Sequence, residues 1–354
     1  MKIISILPIL IQFLIGMSAL DAQTTPNQFN KETDLFIAQF DSIPDPDDIM
    51  SQAAIGSLLA HSNYAGINYL GVSGAYGEQI AKSPNGFIDS TDLFNLGFGP
   101  QALPSDTAEK RAAARWVNAH GGNARYTLDK ETGRYTRPKV RKDAIAFACE
   151  VIIGRAKPVL LAGGKVYVMD AGQSDLTAEW VEKLIKEEGV TNTATHVILV
   201  QHSDWNERHT PGHPQAPLIF DDGKNDWKFI NNPAHLTYWQ IDDGNTVYGT
   251  TDAPRRDRGT EQTPNYKNDD VKFLIEAMSE DNPNEHTRKL WTLANQIITD
   301  HLGPEGRNWS FFRKGGVDFS DSVEAMWIFD LANKSAGLTT VADFWETFVT
   351  NIPE

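Results

Sequence analysis

Short apolar runs alternate along this chain with longer stretches whose apolar positions recur at helical spacing, and that alternation restricts the fold more than any other feature. Leu35-Phe-Ile-Ala-Gln-Phe40 is an apolar run of strand length. An acidic turn, Asp41-Ser-Ile-Pro-Asp-Pro-Asp-Asp48, separates it from Ile49 to Ala60, where the spacing is helical. A second strand is predicted at Ile67 to Ser73, ending in Gly74-Ala-Tyr-Gly-Glu78. Two strands flanking one helix of crossover length make a βαβ unit. The unit recurs: a strand at Lys165 to Asp170 leads through Ala171-Gly-Gln-Ser174 into a helix over 175–188, and His196 to Gln201 supplies the next strand. Such crossovers join parallel strands. The expectation is one α/β domain over 34–354, a mostly parallel open sheet with helices on both faces. Phe94 to Pro104, Asn123 to Pro138 and Thr250 to Asp270 read as loops, and Pro211 to Asn245, rich in Pro, Asn and aromatics, as an excursion over the face bearing the strands' carboxyl ends. No internal repeat or interdomain linker stands out.

Charge narrows the partners. Lysine plus arginine minus acids is 32 − 47 = −15, a field that repels phosphate backbones and argues against nucleic acid. The single cysteine, Cys149, lies in the apolar stretch Ala144 to Ile153. It allows neither a disulfide framework nor a Cys-x-x-Cys site, and reads as a small buried residue. Lys2, the interrupted apolar run Ile3 to Met17 and Ser18-Ala-Leu-Asp-Ala-Gln23 form the pattern of a secretory signal peptide over 1–22, followed by a flexible N-terminus over 23–33. Export to a periplasm or outside the cell is the expectation, without a cysteine for a lipid anchor. That run is too short and broken to span a membrane, and no later segment reaches about 18 apolar residues. No phosphate-binding Gly-x-x-x-x-Gly-Lys loop, dinucleotide fingerprint or Gly-x-Ser-x-Gly elbow appears, which disfavours nucleotide hydrolysis, nicotinamide chemistry and serine esterase chemistry.

Two polar constellations sit where open α/β sheets bind ligands, at strand carboxyl ends. Asp41, Asp45, Asp47 and Asp48 crowd the first. Their repulsion calls for a cation or hydrogen-bond donors, and hard oxygen ligands favour Ca²⁺ or Mg²⁺ over zinc. The alternative is a solvated turn in which Asp47 or Asp48 caps a helix starting near Ile49. The second is His202-Ser-Asp-Trp-Asn-Glu-Arg-His-Thr210. Carboxylates and amides there suit sugar hydroxyls, and the Trp205 indole suits the apolar face of a sugar ring. His202 or His209 is a candidate general acid, against the plainer reading that one histidine holds the loop and the others face solvent. A zinc site of His202, His209 and His213 is disfavoured, because no His-Glu-x-x-His helix is present and the Pro211 to Pro214 turn breaks the geometry. Trp227 and the Tyr238-Trp239 pair are candidates to line a pocket; Trp180, Trp291 and Trp345 read as core. Arg255, Arg256 and Arg258 read as a solvated basic loop.

The segment Phe40-Asp-Ser-Ile-Pro-Asp-Pro-Asp-Asp-Ile-Met-Ser-Gln-Ala-Ala-Ile55 resembles the first strand and loop of the nucleoside hydrolase-like superfamily, whose motif is Asp-x-Asp-Pro-Gly-x-Asp-Asp before a helix. Ile67 to Gly77 resembles its second strand, Val168 to Ala178 its third signature and Phe319 to Met326 its late aspartate and helix start. The resemblance spans roughly Asp34 to Met326, with the four motifs in order. It implies a Rossmann-like fold and a Ca²⁺ ion at the base of a ribose pocket. Carried over by position, it implies Asp41, Asp48, the Ala171 carbonyl and Asp321 as metal ligands, with Asp318 in reserve. Asp47 and Glu78 are implied as sugar-binding residues, and Asn206 and Glu207 as partners of an exocyclic hydroxyl, in an order the family does not usually show. The sequence departs at Ile43, which stands where the family's second aspartate binds metal and activates water. Asp45 is then the base, with Asp41 beside it. The implied function is an exported, Ca²⁺-dependent hydrolase of a glycosidic bond in a nucleoside or carbohydrate fragment. A homo-oligomer is compatible with the sequence. The alternative is a sugar-binding protein that has lost the chemistry. Asp41, Asp47, Asp48 and Asp321 are expected to converge.

Overall fold

The computed structural model describes residues 29–42, 46–74, 87–122, 124–241, 267–268, 272–302, 316–331 and 340–352. The predicted signal peptide, Asp45, Glu78 and the arginines at 255, 256 and 258 lie outside the described residues. In chain order the elements are β1 (Leu35–Phe40), α1 (Pro46–Ala60), β2 (Asn68–Ser73), α2 (Thr91–Gly97), α3 (Ala108–Ala113), β3 (Trp116–Asn118), the hairpin of β4 (Thr127–Leu128) and β5 (Tyr135–Thr136), and α4 (Lys139–Leu161). Then come β6 (Val166–Ala171), α5 (Asp175–Lys186), α6 (Thr193–His196), β7 (Val197–His202), α7 (Asp204–His209), α8 (Asp226–Ile230) and β8 (Thr237–Ile241). The remainder is β9 (Lys267–Asn268), α9 (Lys272–Met278), α10 (Glu285–Leu302), β10 (Val317–Asp318), a 3₁₀ turn (Ser320–Ser322), α11 (Val323–Ile328) and α12 (Val341–Phe344).

Six strands form one parallel sheet in the order β3-β2-β1-β6-β7-β8. The chain begins at the centre, moves outward through β2 and β3, then returns to the other side of β1. Order therefore reverses between β1 and β6, the switch point at which doubly wound sheets open a crevice. Strand alternation builds a core on each face. Leu35 and Ile37 pack with Val168, Leu199 and Trp180, whereas Phe36, Ala38 and Phe40 pack with Ile49, Met169, Val200 and Trp291. Cys149 is buried in the first of these cores, and burial pushes its thiol up, so it packs as a neutral group.

One register row is polar. Gln39, Asp170, Gln201 and Gln240 pair across β1, β6, β7 and β8. Gln39 Nε2 donates to Thr177 Oγ1 (2.5 Å), and Thr177 Oγ1 donates to Asp170 Oδ2 (3.3 Å). Gln201 Nε2 donates to the Gly172 carbonyl and Ser174 Oγ (both 2.7 Å), and Tyr238 Oη donates to Gln201 Oε1 (2.9 Å). Burial pushes Asp170 well above the usual carboxylate range. The row pins the β6–α5 turn against the sheet, because leaving these buried groups unpaired is costly.

Several sequence expectations need correction, among them Asn123 to Pro138, read as loop, which carries the β4–β5 hairpin. Helix α1 starts at Pro46 rather than near Ile49; proline is pre-set for the first helical position, and Asp47 and Asp48 follow at the positive end of the helix dipole. Phe94 to Pro104 is not all loop, since α2 runs Thr91–Gly97 and packs Phe94 against Trp116 (4.9 Å). The stretch 211–245 supplies α8 and the sixth sheet strand, β8. Tyr238 is consequently buried, and Trp239 packs on Trp327 (5.6 Å).

At the end of β2 the chain turns through Gly74, with φ of +79°, and a Cβ there would lie 2.4 Å from His120 Cβ. Gly66 shares φ of +79° but has nothing within 4 Å of that position. Gly74→Ala should therefore lower the thermal midpoint more than Gly66→Ala, the excess being on the order of 1–3 kcal/mol from overpacking. Circular dichroism melts of the two variants check this; equal midpoints would remove the close approach as a constraint.

Candidate functional site

Three of the acids that the sequence singled out come together near the switch point of the sheet, where β1 and β6 lie side by side. After Phe40 the chain turns at Ser42, a non-glycine residue with φ of +58°. The Ser42 N–H donates to Asp48 Oδ1 (3.3 Å), and its hydroxyl lies 3.2 Å from Ser73 Oγ and accepts from Gln52 Nε2 (3.4 Å). These bonds tie the residue after β1 to the first two turns of α1 and to the end of β2. Asp48 is 1% exposed.

The 3₁₀ turn before α11 approaches from the other end of the chain and packs against α1. Oxygens of Asp47, Asp48 and Asp321 lie within 4.8 Å of one another. Such a group can hold a metal ion. Asp318 takes another part: its Oδ1 accepts from the Ser320 hydroxyl (2.8 Å) and N–H (3.3 Å), shaping the turn that presents Asp321.

Asp41, expected beside them, is not one of these three residues. Its N–H donates to the Ala171 carbonyl (3.2 Å), prolonging the β1–β6 ladder by one residue. The backbone of Asp41 is thus held at the strand end. The Ala171 carbonyl, the expected backbone ligand, stands at this same junction and retains a second lone pair.

His202, the last residue of β7, joins the acids to a residue the sequence reading left without a role. Its Nδ1 lies 2.5 Å and its backbone N–H 3.1 Å from Glu324 Oε1, and its Nε2 lies 3.2 Å from Asp321 Oδ1. Burial alone would lower its pKa; the two carboxylates outweigh burial and hold the imidazolium well above the usual histidine range. Both ring nitrogens face carboxylates, so in this arrangement the ring fixes Asp321 rather than presenting a proton to the open side. The only sequence signal for Glu324 was its place one turn after Asp321.

Other expected residues group on α7. Trp205 is 43% exposed and stacks on His209 (3.8 Å), whose Nδ1 bonds the Trp205 carbonyl (2.7 Å). Asn206 is buried and donates to the His202 carbonyl (3.2 Å), while Glu207 is half-buried. His213 packs edge-on against Trp227 (4.9 Å), so the three histidines do not gather into a metal site.

Arginines missed by the sequence reading brace the crevice. Arg141 donates to the Gly74 (2.8 Å) and Ala119 carbonyls at the ends of β2 and β3. Arg137, one turn earlier on α4's flank, pairs with Asp222 (2.7 Å) and Asp175 (3.5 Å). His120 stacks on Phe87 (4.4 Å), and burial lowers its pKa to about 4. No protein-family model matches this chain, and no curated protein matches it in sequence.

The His202 shift has a signed consequence. A folded-state value raised above 6.5 means that its stabilising contribution is complete below pH 6.5 and is lost as pH rises through the folded value. In chelator, urea midpoints of the wild type should fall from pH 6.5 towards pH 9 more steeply than those of His202→Gln. Parallel profiles would show that the ring is not held charged.

Proposed function

We propose that this chain is a Ca²⁺-dependent glycosidic-bond hydrolase acting on a small sugar-containing substrate, a nucleoside or a carbohydrate fragment. The observation that carries the reading is the meeting of Asp47, Asp48 and Asp321 at the β1–β6 switch point. Its donors are carboxylate oxygens, with a backbone carbonyl at the adjoining strand end, and that chemistry suits a hard cation. Asp48, Asp321 and the Ala171 carbonyl would hold the ion, and Asp47 would bind sugar hydroxyls beside it. Bound Ca²⁺ would anchor adjacent hydroxyls and offset the negative charge of the acids.

The rest falls to side chains. Trp205 offers an exposed indole to the apolar face of a ring, stiffened by His209 behind it. Asp45, placed by sequence alone, would take a proton from water as the water oxygen bonds to the anomeric carbon; the bond to the leaving group breaks, and that group takes up a proton from solvent. Carboxylates around the ring favour the oxocarbenium-like transition state. The second reading, a sugar-binding protein without hydrolysis, is favoured by Ile43, which can neither bind metal nor activate water.

In millimolar Ca²⁺ the protein should melt several degrees higher than in EDTA, since a ligand at 100 times its Kd adds about 2.7 kcal/mol. Asp48→Asn should abolish most of that difference; equal midpoints in the wild type would remove the cation. Against a panel of nucleosides and oligosaccharides, Asp45→Asn should lose hydrolysis and keep the Ca²⁺-dependent shift. Binding of a sugar without turnover by the wild type would support the second reading.

Trp205→Ala should leave the melting temperature within about a degree, because an exposed side chain contributes little to stability, while raising the KM or Kd for the sugar about tenfold, at the 1.4 kcal/mol scale of one stacking contact. Unchanged sugar affinity in calorimetry would take Trp205 out of the pocket.

A further inference from the structure

Glu324 is fully buried on α11, and its Oε2 has no hydrogen-bond partner among the described residues. Stability gives no reason for it, since a well-packed apolar residue commonly serves as well as a buried ion pair or better. Its other oxygen makes two contacts, both with His202, at the ring and at the backbone N–H. That pair of bonds fixes the ring at the carboxyl end of β7, and the opposite nitrogen faces Asp321 Oδ1 at 3.2 Å. The ring can turn away from Asp321 only by giving up Glu324.

We propose that Glu324 is a positioning residue for the cation site, holding Asp321 towards Asp47 and Asp48 through His202. The claim rests on the cation reading above and extends it to residues that would not touch the ion. The effect is one of orientation: the bonds from Glu324 fix the ring, and the ring in turn faces Asp321. Residues that orient metal ligands in this way commonly govern affinity without ligating.

The test is calorimetric titration of Ca²⁺ into the chelator-treated full chain for the wild type, Glu324→Gln, His202→Gln and the double variant, with melts in EDTA to confirm folding. Glu324→Gln should weaken Ca²⁺ about 10- to 100-fold. If Glu324 acts through His202, the double variant should bind no more weakly than His202→Gln alone. Should Glu324→Gln fail to fold, Glu324→Asp keeps the charge but draws the carboxylate back by one methylene, and should also weaken Ca²⁺. Wild-type affinity in the Glu324 variants overturns the proposal and leaves the cation reading standing. Additive losses in the double variant overturn the route through His202. A wild-type chain that takes up no Ca²⁺ overturns both readings.

Discussion

Three carboxylates that meet within 4.8 Å impose the condition around which the rest of this site is arranged. Like charges at that separation repel by roughly 3 kcal/mol per pair at the effective dielectric of a protein site. With Asp48 almost wholly buried, water relieves little of that. The surroundings supply donors one at a time: the Ser42 N–H to Asp48, the positive end of α1 beneath Asp47 and Asp48, and the His202 ring to Asp321. A divalent cation bound there would offset the charge of the three acids, which ties the metal reading to stability.

Topology explains how acids so distant in sequence come to share one spot. At the β1–β6 switch point the strand order reverses, and the helix that follows β1 starts with Asp47 and Asp48 in its first turn. The late segment, from β10 through the 3₁₀ turn to α11, packs on α1, β6 and β7 and brings Asp321 and Glu324 from the other end of the chain. Arg141, bonded at the ends of β2 and β3, and the polar row beneath β6 make the floor rigid. A site on element ends that are braced in this way is well suited to holding carboxylates against their own repulsion.

The sheet was largely legible in the sequence. Strands β1, β2, β6 and β7 lie within one residue of their apolar runs, because central parallel strands buried on both faces are written as continuous apolar segments. Strand β8, Thr-Tyr-Trp-Gln-Ile, carries no such signal at the sheet edge; pairing with β7 makes it a strand. In the site, Asp47, Asp48 and Asp321 could be named from position and motif, whereas the positive φ at Ser42 could not. Glu324 was invisible for a different reason. Its partner His202 is 122 positions away, and no local pattern announces a contact that long-range packing creates.

In the proposed reading one cation joins Asp321, from late in the chain, to the acids at the start of α1. Crystals grown in millimolar Ca²⁺, with anomalous scattering recorded to identify the ion, test it most directly. The account predicts a single strong peak with oxygens of Asp48 and Asp321 at roughly 2.3 to 2.6 Å from it. Well-ordered carboxylates at that place with no ion between them, or an ion bound elsewhere and not touching Asp321, would contradict it.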